Sequence, residues 1–318
     1  MSQAKKNQSY YIIAQLFQQK GQVSTLEIQQ KLEAAELPSS ESTTQRLIKD
    51  LKNIGLTLEY DNQKRKYIFN EEGSSMQIKI LNLMVASDFL HEVATSPADK
   101  LKYIEFDARM VAKGANFLPD IFNAITKRKW LEVEYKRYEN EVSKIHILAP
   151  LFLKEFNNRW YLLAVYKGEL KGKNNIPLIF GIDRILNIEV TIDSFEKNLF
   201  KKLHDYPKWQ KENKESPMDL FNDMIGVRLT EQPVQEVILK FSPEQAPFIK
   251  SQPWHSTQEI LAENENEFKI SICVRPNDDL LTMILAQHGN VEVLEPESLR
   301  SQTIGILKKS LALYSTKS

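Results

Sequence analysis

Hydroxyl and cationic side chains gather in a short part of the chain near its N-terminus. Between residues 43 and 66 there are six lysines and arginines against three acidic residues, although the whole chain has a net charge of zero. Hydroxyls hydrogen-bond to base edges, and lysine and arginine neutralise phosphates, so this set predicts contact with nucleic acid. The candidate contact residues are Ser42, Thr43, Thr44, Arg46, Lys49, Lys64 and Arg65.

Signatures of catalysis and of metal binding are missing from the sequence. It contains no glycine-rich phosphate loop, no Gly-x-Ser-x-Gly elbow and no His-Glu-x-x-His pair. The five histidines are scattered without ligand spacing, so we predict no metal site and no bound cofactor. We therefore expect a binding protein and not an enzyme. The alternative is a nucleotide-processing enzyme that uses Glu139, Glu141 or His146.

The composition is typical of a globular protein with more than one domain. The chain has 318 residues, of which 42% are hydrophobic and 26% charged, enough to bury two or three cores. No apolar run exceeds about ten residues and no apolar leader opens the chain, so we predict a cytoplasmic protein without a membrane segment. The one cysteine, Cys273, lies in an alternating apolar stretch and is predicted to be a buried core thiol.

Three helices and a hairpin are predicted for residues 1–72. The first helix ends at Gly21, and a capping box of Ser24 and Glu27 opens the second. The apolar face of the first helix consists of Tyr11, Ile12, Leu16 and Phe17.

The third helix carries most of the candidate contact residues. It spans about 42–54 and ends at Gly55, and strands at 56–60 and 66–69 follow with Lys64 and Arg65 in the loop between them. This order is typical of a winged helix-turn-helix, whose last helix enters the major groove of DNA. Modules that bind proteins use the same arrangement, and that alternative stays open.

The middle of the chain changes from helical to strand-like periodicity. Residues 73–129 are predicted to form a helical linker, and their apolar content indicates packing on a neighbouring domain or a second subunit. Five strand-like runs follow, at 131–135, 145–153, 159–166, 176–182 and 185–192. Five short strands within 130–193 predict a small β-barrel.

The last part of the chain alternates between strands and helices. Residues 194–232 are predicted to form a bridge with a short helix at 218–224. Residues 233–318 follow the order β-α-β-β-α-β and end in a helix at 296–314, which predicts a ferredoxin-like domain. This domain and the linker helices motivate a homodimer. The fold class is therefore α+β with several domains.

One stretch of the strand-rich part resembles a known family. Trp160-Tyr161-Leu162 is preceded by Ile147-Leu148-Ala149-Pro150 and followed by Asp183-Arg184-Ile185. Together, these motifs and their order resemble the WYL-domain family of bacterial transcription regulators. The resemblance covers the whole chain, since members join an N-terminal winged helix, a WYL barrel of Sm-like or SH3-like fold and a C-terminal extension of ferredoxin-like topology.

The chain departs from the family pattern in two places, the predicted recognition helix and the strand before Asp183. Many members carry Ser-Arg-Thr-Ile-x-Arg-Asp-Leu in the recognition helix, where this chain reads Ser42-Thr43-Thr44-Gln45-Arg46-Leu47-Ile48. This difference indicates a different operator. Gly181 stands where an arginine is often found, two residues before Asp-Arg-Ile, and it removes one cation from the expected pocket.

The resemblance implies that the barrel binds a negatively charged effector, such as a nucleotide or a nucleic-acid fragment. The candidate ligand-binding residues are Tyr135, His146, Arg159, Tyr161 and Arg184. Guanidinium groups grip phosphates with two parallel hydrogen bonds, and a phenol or an imidazole adds to them.

We therefore expect a DNA-binding transcriptional regulator that represses from a pseudo-palindromic double-stranded operator as a homodimer and responds to a ligand on its WYL domain. The alternative is a protein that binds RNA or single-stranded nucleic acid without operator specificity. A small barrel with exposed aromatic rings stacks bases, and Tyr135, Tyr138 and Tyr161 are the rings that would do so.

Overall fold

The structure, a computed structural model, describes residues 1–95, 113–139, 141–170, 173–174, 176–203 and 216–315. The chain divides into two compact units, Met1–Asp107 and Ala108–Ser318. Helices and antiparallel sheets occur in both units, which confirms the α+β class with several domains. The division falls within the predicted linker of residues 73–129.

The described part of the first unit, residues 1–95, contains four α-helices and a small antiparallel sheet. Its elements are α1 (Gln3–Lys20), β1 (Gln22–Val23), α2 (Thr25–Ala34), α3 (Glu41–Ile54), β2 (Leu58–Asp61), β3 (Lys66–Phe69) and α4 (Ser75–Thr95). The strand order is β1-β3-β2. Gly21 and Gly55 end α1 and α3 with positive φ, a conformation that glycine adopts without strain. The predicted capping box of Ser24 and Glu27 is present.

The core of this unit lies between α1, α3 and the sheet. Tyr10, Ile13 and Phe17 of α1 are buried, whereas Tyr11 and Ile12 are only partly buried. Leu16 and Phe17 are buried as predicted. Tyr10 and Ile13 take the buried positions predicted for Tyr11 and Ile12, because positions 10, 13 and 17 follow the helical repeat.

The second unit begins with a helix that packs on a five-stranded antiparallel sheet. The elements are α5 (Leu118–Lys127), β4 (Lys129–Tyr135), β5 (Lys144–Phe156), β6 (Arg159–Tyr166), β7 (Glu169–Leu170), β8 (Lys173–Asn174), β9 (Pro177–Gly181) and β10 (Ile185–Ser194). The order in the large sheet is β10-β4-β5-β6-β9, and β7 pairs with β8 in a separate hairpin. All five predicted strands are present. Ile121 and Ala124 of α5 are fully buried against this sheet.

A second sheet completes the unit. Its elements are β11 (Gln235–Phe241), α6 (Ala246–Ser251), β12 (Glu259–Glu263), β13 (Phe268–Val274), α7 (Asp278–Leu285), β14 (Val291–Glu295) and α8 (Glu297–Ser315). The strand order is β12-β13-β11-β14, and the element order β-α-β-β-α-β is the predicted one. The helix predicted at 218–224 is a shorter 3-10 turn, Pro217–Leu220.

The thiol of Cys273 is exposed, so the prediction of a buried core cysteine is wrong. In β13 the residues Phe268, Ile270, Ile272 and Val274 are fully buried. Alternate residues of a strand face opposite sides of the sheet, so Cys273 between two buried neighbours points outward.

No helix within the described ranges combines the length and the apolar character needed to cross a lipid bilayer.

Candidate nucleic-acid interface and ligand cleft

The outer face of α3 carries polar side chains at the positions that its buried stripe leaves free. The stripe consists of Thr44, Leu47, Ile48 and Leu51. Ser42, Arg46 and Lys49 are exposed and Thr43 is partly exposed. The Ser40 side chain caps α3 by accepting a hydrogen bond from the Thr43 amide at 3.3 Å. The exposed polar face therefore begins in the first turn of the helix.

Thr44 does not belong to the exposed face, and its assignment as a contact residue is wrong. The residue is 0% exposed, and its hydroxyl donates to the carbonyl of Ser39 at 3.4 Å. Position 44 precedes Leu47, Ile48 and Leu51 by three, four and seven residues, so it shares their inward face.

Gln45, and not Thr44, is exposed on the outer face of α3. It is exposed, and its side-chain oxygen accepts a hydrogen bond from the Tyr67 hydroxyl at 3.3 Å. A glutamine side chain can hydrogen-bond to adenine through its amide, and the sequence interpretation did not include Gln45 among the candidate contact residues.

The hairpin of β2 and β3 presents the other two predicted cations. Asp61 holds the turn, since its carboxylate accepts hydrogen bonds from the amides of Gln63 at 2.9 Å and Lys64 at 3.0 Å. Lys64 and Arg65 are both exposed at the tip. The structure thus brings the predicted contact residues, apart from Thr44, to the surface of one unit.

Asp50 fixes the inner edge of this surface. Its carboxylate accepts a hydrogen bond from the Tyr10 hydroxyl at 2.8 Å and pairs with Lys6 at 2.9 Å. Hydrogen bonds from Lys6 and Tyr10 lower the pKa of Asp50. Within residues 1–95, Arg46 and Lys49 form no ion pair, so both charges are available to an anion.

The second unit contains a cleft of about 740 Å³. One wall comes from β5, β6, β9 and the turn Ile182–Arg184, and the other comes from residues 227–229 and the start of α7. Among the predicted ligand residues, Arg159, Tyr161 and Arg184 line it. Tyr138 also lines it and is 71% exposed.

Arg184 is held against two tyrosine rings. Its guanidinium carbon lies 5.1 Å from the centre of the Tyr135 ring and 5.1 Å from that of Tyr138. Its Nε is buried and has no hydrogen-bond partner among the described residues. A buried donor without a partner costs about 1–3 kcal/mol. Arg184 also forms no ion pair with the described residues, so its charge is open to an anion in the cleft that it lines.

Gly181 makes room for this arrangement. A Cβ atom at position 181 would lie 2.6 Å from Oδ1 of Asp183 and 2.9 Å from Nη2 of Arg184. The glycine thus lets the Arg184 guanidinium pack against the strand.

Asp183 connects the residues around Arg184. Its carboxylate accepts a hydrogen bond from the Tyr138 hydroxyl at 2.7 Å and lies 3.9 Å from Nη1 of Arg159. The hydrogen bond to Asp183, together with burial, raises the pKa of Tyr138. The hydrogen bond to Asp183 also fixes the orientation of the phenol.

The opposite wall of the cleft is built around Asp279. Its Oδ2 accepts hydrogen bonds from the amides of Val227 and Arg228, both at 2.8 Å. Arg228 pairs with Asp278 at 3.0 Å and lies 3.7 Å from Asp279. These residues stand far from the WYL triplet in sequence, and no sequence signal connected them with the site.

Tyr135 and His146 lie together but behind the cleft. Tyr135 is 4% exposed and lines a smaller cavity of about 260 Å³ that also includes Arg137 and Arg184. His146 packs against Tyr166 with ring centres 5.1 Å apart, and it lies 6.4 Å from Tyr135. Burial, assisted by Arg137 and Lys144, lowers the pKa of His146. Tyr135 therefore supports Arg184, and the structure does not bring His146 to the cleft.

Two domain families match the second unit. The WYL domain matches residues 116–190 and the WCX domain matches residues 233–311. No curated protein matches the chain.

Three solved structures are distantly similar. Proteasome accessory factor B/C (PafBC) of Arthrobacter aurescens is 13% identical with a TM-score of 0.29, over 95% of this chain and 46% of that one. A CRISPR Cas-related protein is 10% identical with a TM-score of 0.39, over 64% and 53%. A hypothetical protein is 11% identical with a TM-score of 0.21, over 95% and 98%. The chain spans about half the length of the first two, and TM-scores this low carry no conclusion about this protein.

Proposed function

We propose that this chain, which is a WYL-domain protein with a C-terminal WCX domain, is a cytoplasmic DNA-binding transcriptional regulator. It represses from a pseudo-palindromic operator as a homodimer, through a winged helix-turn-helix in its first unit. A small negatively charged effector occupies the cleft of the second unit and changes operator affinity by binding alone, without catalysis.

The exposed face of α3 carries the proposal. Arg46 and Lys49 are unpaired cations beside the hydroxyl of Ser42 and the amide of Gln45 on a capped helix. The hairpin with Lys64 and Arg65 follows in the same unit. Arginine and glutamine read base edges in the major groove, and the lysines neutralise phosphates, which is the division of labour in a winged helix on DNA.

Exposed apolar stripes that no other described element covers support the homodimer. In α8 the exposed residues Ile304, Leu307, Leu311 and Tyr314 are spaced by three or four residues along one face. In α4 the exposed residues Met76, Ile80, Leu83 and Leu90 are similarly spaced. Such stripes are typical of helices that pack on a second copy, and a two-fold dimer matches a palindromic operator.

The cleft supports control by an effector. Arg184, which has no ion-pair partner among the described residues, lines the cleft with Tyr138, Tyr161 and Arg159, and this set suits an anion attached to a ring. An effector that binds the DNA-free form more tightly weakens operator affinity by the same factor, typically about 1–3 kcal/mol.

Selection of random duplex DNA by the purified full chain, sequenced at two salt concentrations, tests the proposal. We expect an enriched inverted repeat whose half-sites lie about one helical turn, or a multiple of it, apart. Absence of enrichment, with binding that salt abolishes uniformly, would overturn operator recognition. Tighter binding to single strands than to duplex would favour the RNA or single-strand alternative, although the buried ring of Tyr135 leaves only Tyr138 and Tyr161 to stack bases.

A further inference from the structure

The charges that line the cleft cancel each other. The lining contains the arginines Arg159, Arg184 and Arg228 and the aspartates Asp183, Asp278 and Asp279. A groove that follows a nucleic-acid strand is positively charged along its length, because each phosphate needs a cation. A strand laid in this cleft would meet three carboxylates as well as three guanidinium groups.

Two of the three arginines are already paired. Arg159 lies 3.9 Å from Asp183, and Arg228 pairs with Asp278 at 3.0 Å. Arg184 forms no ion pair within the described part of the second unit, and its buried Nε lacks a partner. Among the described lining residues, Arg184 is therefore the one cation without an ion-pair partner, and it is available to a ligand.

The remaining lining fits a ring. Tyr161 and Phe156 stand on the β5 and β6 side, and Leu178 and Leu229 contribute aliphatic surface. A volume of about 740 Å³ lies in the range of sites for small organic ligands, roughly 300–1,000 Å³. One ring and one anionic group account for the apolar lining and for the free cation.

We propose that the cleft selects a small ligand with one planar ring and a single phosphate group, of the nucleoside monophosphate type, over a strand of nucleic acid. Arg184 binds the phosphate, and Asp183, Asp278 and Asp279 exclude further phosphates. This inference rests on the proposed function, since it names the effector class of the proposed ligand cleft.

A charge series at constant base tests the inference by titration calorimetry of the full chain. The probes are the four 5′-monophosphates, the triphosphate of the base that binds best, and an octamer of that nucleotide. We expect the monophosphate to bind most tightly. Its affinity should depend weakly on salt, whereas a strand held through several phosphates shows a logarithmic slope of about −0.7 for each phosphate contacted.

Neutralising the acidic wall tests the cause of this selectivity. Asp278→Asn removes an exposed partner of Arg228 and leaves Asp279, which holds the backbone, in place. We expect the triphosphate and the octamer to gain affinity relative to the monophosphate by about two- to fivefold, the range of an exposed ion pair. Glu189→Gln removes the same charge at an exposed site outside the cleft and should leave the ratio unchanged.

The outcomes separate this inference from the proposed function. An octamer that binds more tightly than the monophosphate, with a steep salt slope that persists in Arg46→Ala with Lys49→Ala, overturns the inference and leaves the proposed function standing. An enriched operator without binding of any monophosphate also overturns the inference alone. Loss of the operator in the duplex selection overturns the proposed function.

Discussion

The guanidinium group of Arg184 packs so closely on Gly181 that a Cβ atom at position 181 would lie 2.9 Å from Nη2. The same Cβ would lie 2.6 Å from the carboxylate of Asp183. Both of these atoms are at the ends of flexible side chains, so a chain with alanine at position 181 can still fold if the two side chains move aside. The substitution therefore separates the position of the guanidinium from its charge.

We expect Gly181→Ala to weaken monophosphate binding by about tenfold, since it moves Arg184 off the tyrosine rings that position it and forfeits roughly 1–2 kcal/mol of charge-assisted hydrogen bonding to the phosphate. Titration calorimetry measures this, and duplex binding without ligand should not change. Gly305→Ala is the matched control, because nothing lies within 4 Å of a Cβ at that position in α8. Equal affinities of Gly181→Ala and the parent chain would show that the observed place of Arg184 does not matter for the ligand.

The cations of α3 provide the corresponding test in the first unit. We expect the double variant Arg46→Ala with Lys49→Ala to bind duplex DNA more weakly. Loss of an arginine that reads a base should cost about 1–3 kcal/mol of binding free energy, and loss of a lysine that contacts a phosphate should make the slope of log affinity against log salt concentration shallower by about one. Fluorescence anisotropy at several salt concentrations measures both effects. Monophosphate binding should persist.

The control for this pair removes the same charge elsewhere in the unit. Lys5 and Lys31 are exposed on α1 and α2, away from the α3 face. Lys5→Ala with Lys31→Ala should keep most of the operator affinity. An equal loss in the two double variants would indicate that net charge, and not the α3 face, determines binding.

Local chemistry made the helices and strands predictable from the sequence. The Ser24 and Glu27 box, the glycines that end α1 and α3, and the alternation of β13 each act within a few residues. The predictions for Thr44 and Cys273 were wrong because they followed from the residue type alone and not from the position of the residue in its helix or strand. A threonine at the helical repeat of three leucines and isoleucines is buried, and a cysteine between two buried strand neighbours is exposed.

The cleft was only half predictable, for a different physical reason. Arg159, Tyr161 and Arg184 belong to motifs that mark one wall. The other wall depends on how the segment at Val227 folds around Asp279. Hydrogen bonds between residues far apart in the sequence determine that fold. Such long-range contacts leave no periodicity in the sequence.

The exposed stripe of α8 leads to a prediction on assembly. Leu307 is 54% exposed and Leu311 is 66% exposed on one face of the helix. We expect Leu307→Glu with Leu311→Glu to convert a dimer into a 36.9 kDa monomer, because charges at a helix interface are desolvated without partners. Light scattering at micromolar concentration measures the mass.

Gln302→Glu with Lys309→Gln provides the control for this variant. It makes the same change in charge on another face of α8, where both residues are exposed. The control should remain dimeric. A parent chain that already scatters as a monomer would refute the dimer, and a dimer that survives both double variants would move the interface away from α8.

Lys154 provides a stability prediction inside the second unit. Its amine lies 4.4 Å from the centre of the Phe221 ring, and it forms no ion pair with the described residues. Burial lowers the pKa of Lys154 from 10.5 to about 8, although Asp279 opposes the change. The charged amine is therefore the costly form, and at pH 7 the folded protein carries that cost in full.

We expect Lys154→Met to raise the free energy of unfolding at pH 7 by on the order of 1 kcal/mol, since methionine keeps the contact with Phe221 and removes the buried charge. The folded chain releases this proton near pH 8 and the unfolded chain near pH 10.5. The parent protein thus gains stability between these values, and the advantage of the variant should shrink as the pH rises through them.

Chemical denaturation at several pH values measures the difference in free energy of unfolding between the variant and the parent, in which the contributions of the other titrating groups cancel. Lys167→Met, at an exposed amine 5.5 Å from the centre of the Trp130 ring, should give no such gain. A Lys154→Met protein that is less stable at pH 7, or whose advantage does not depend on pH, would show that the folded state does not penalise this charge.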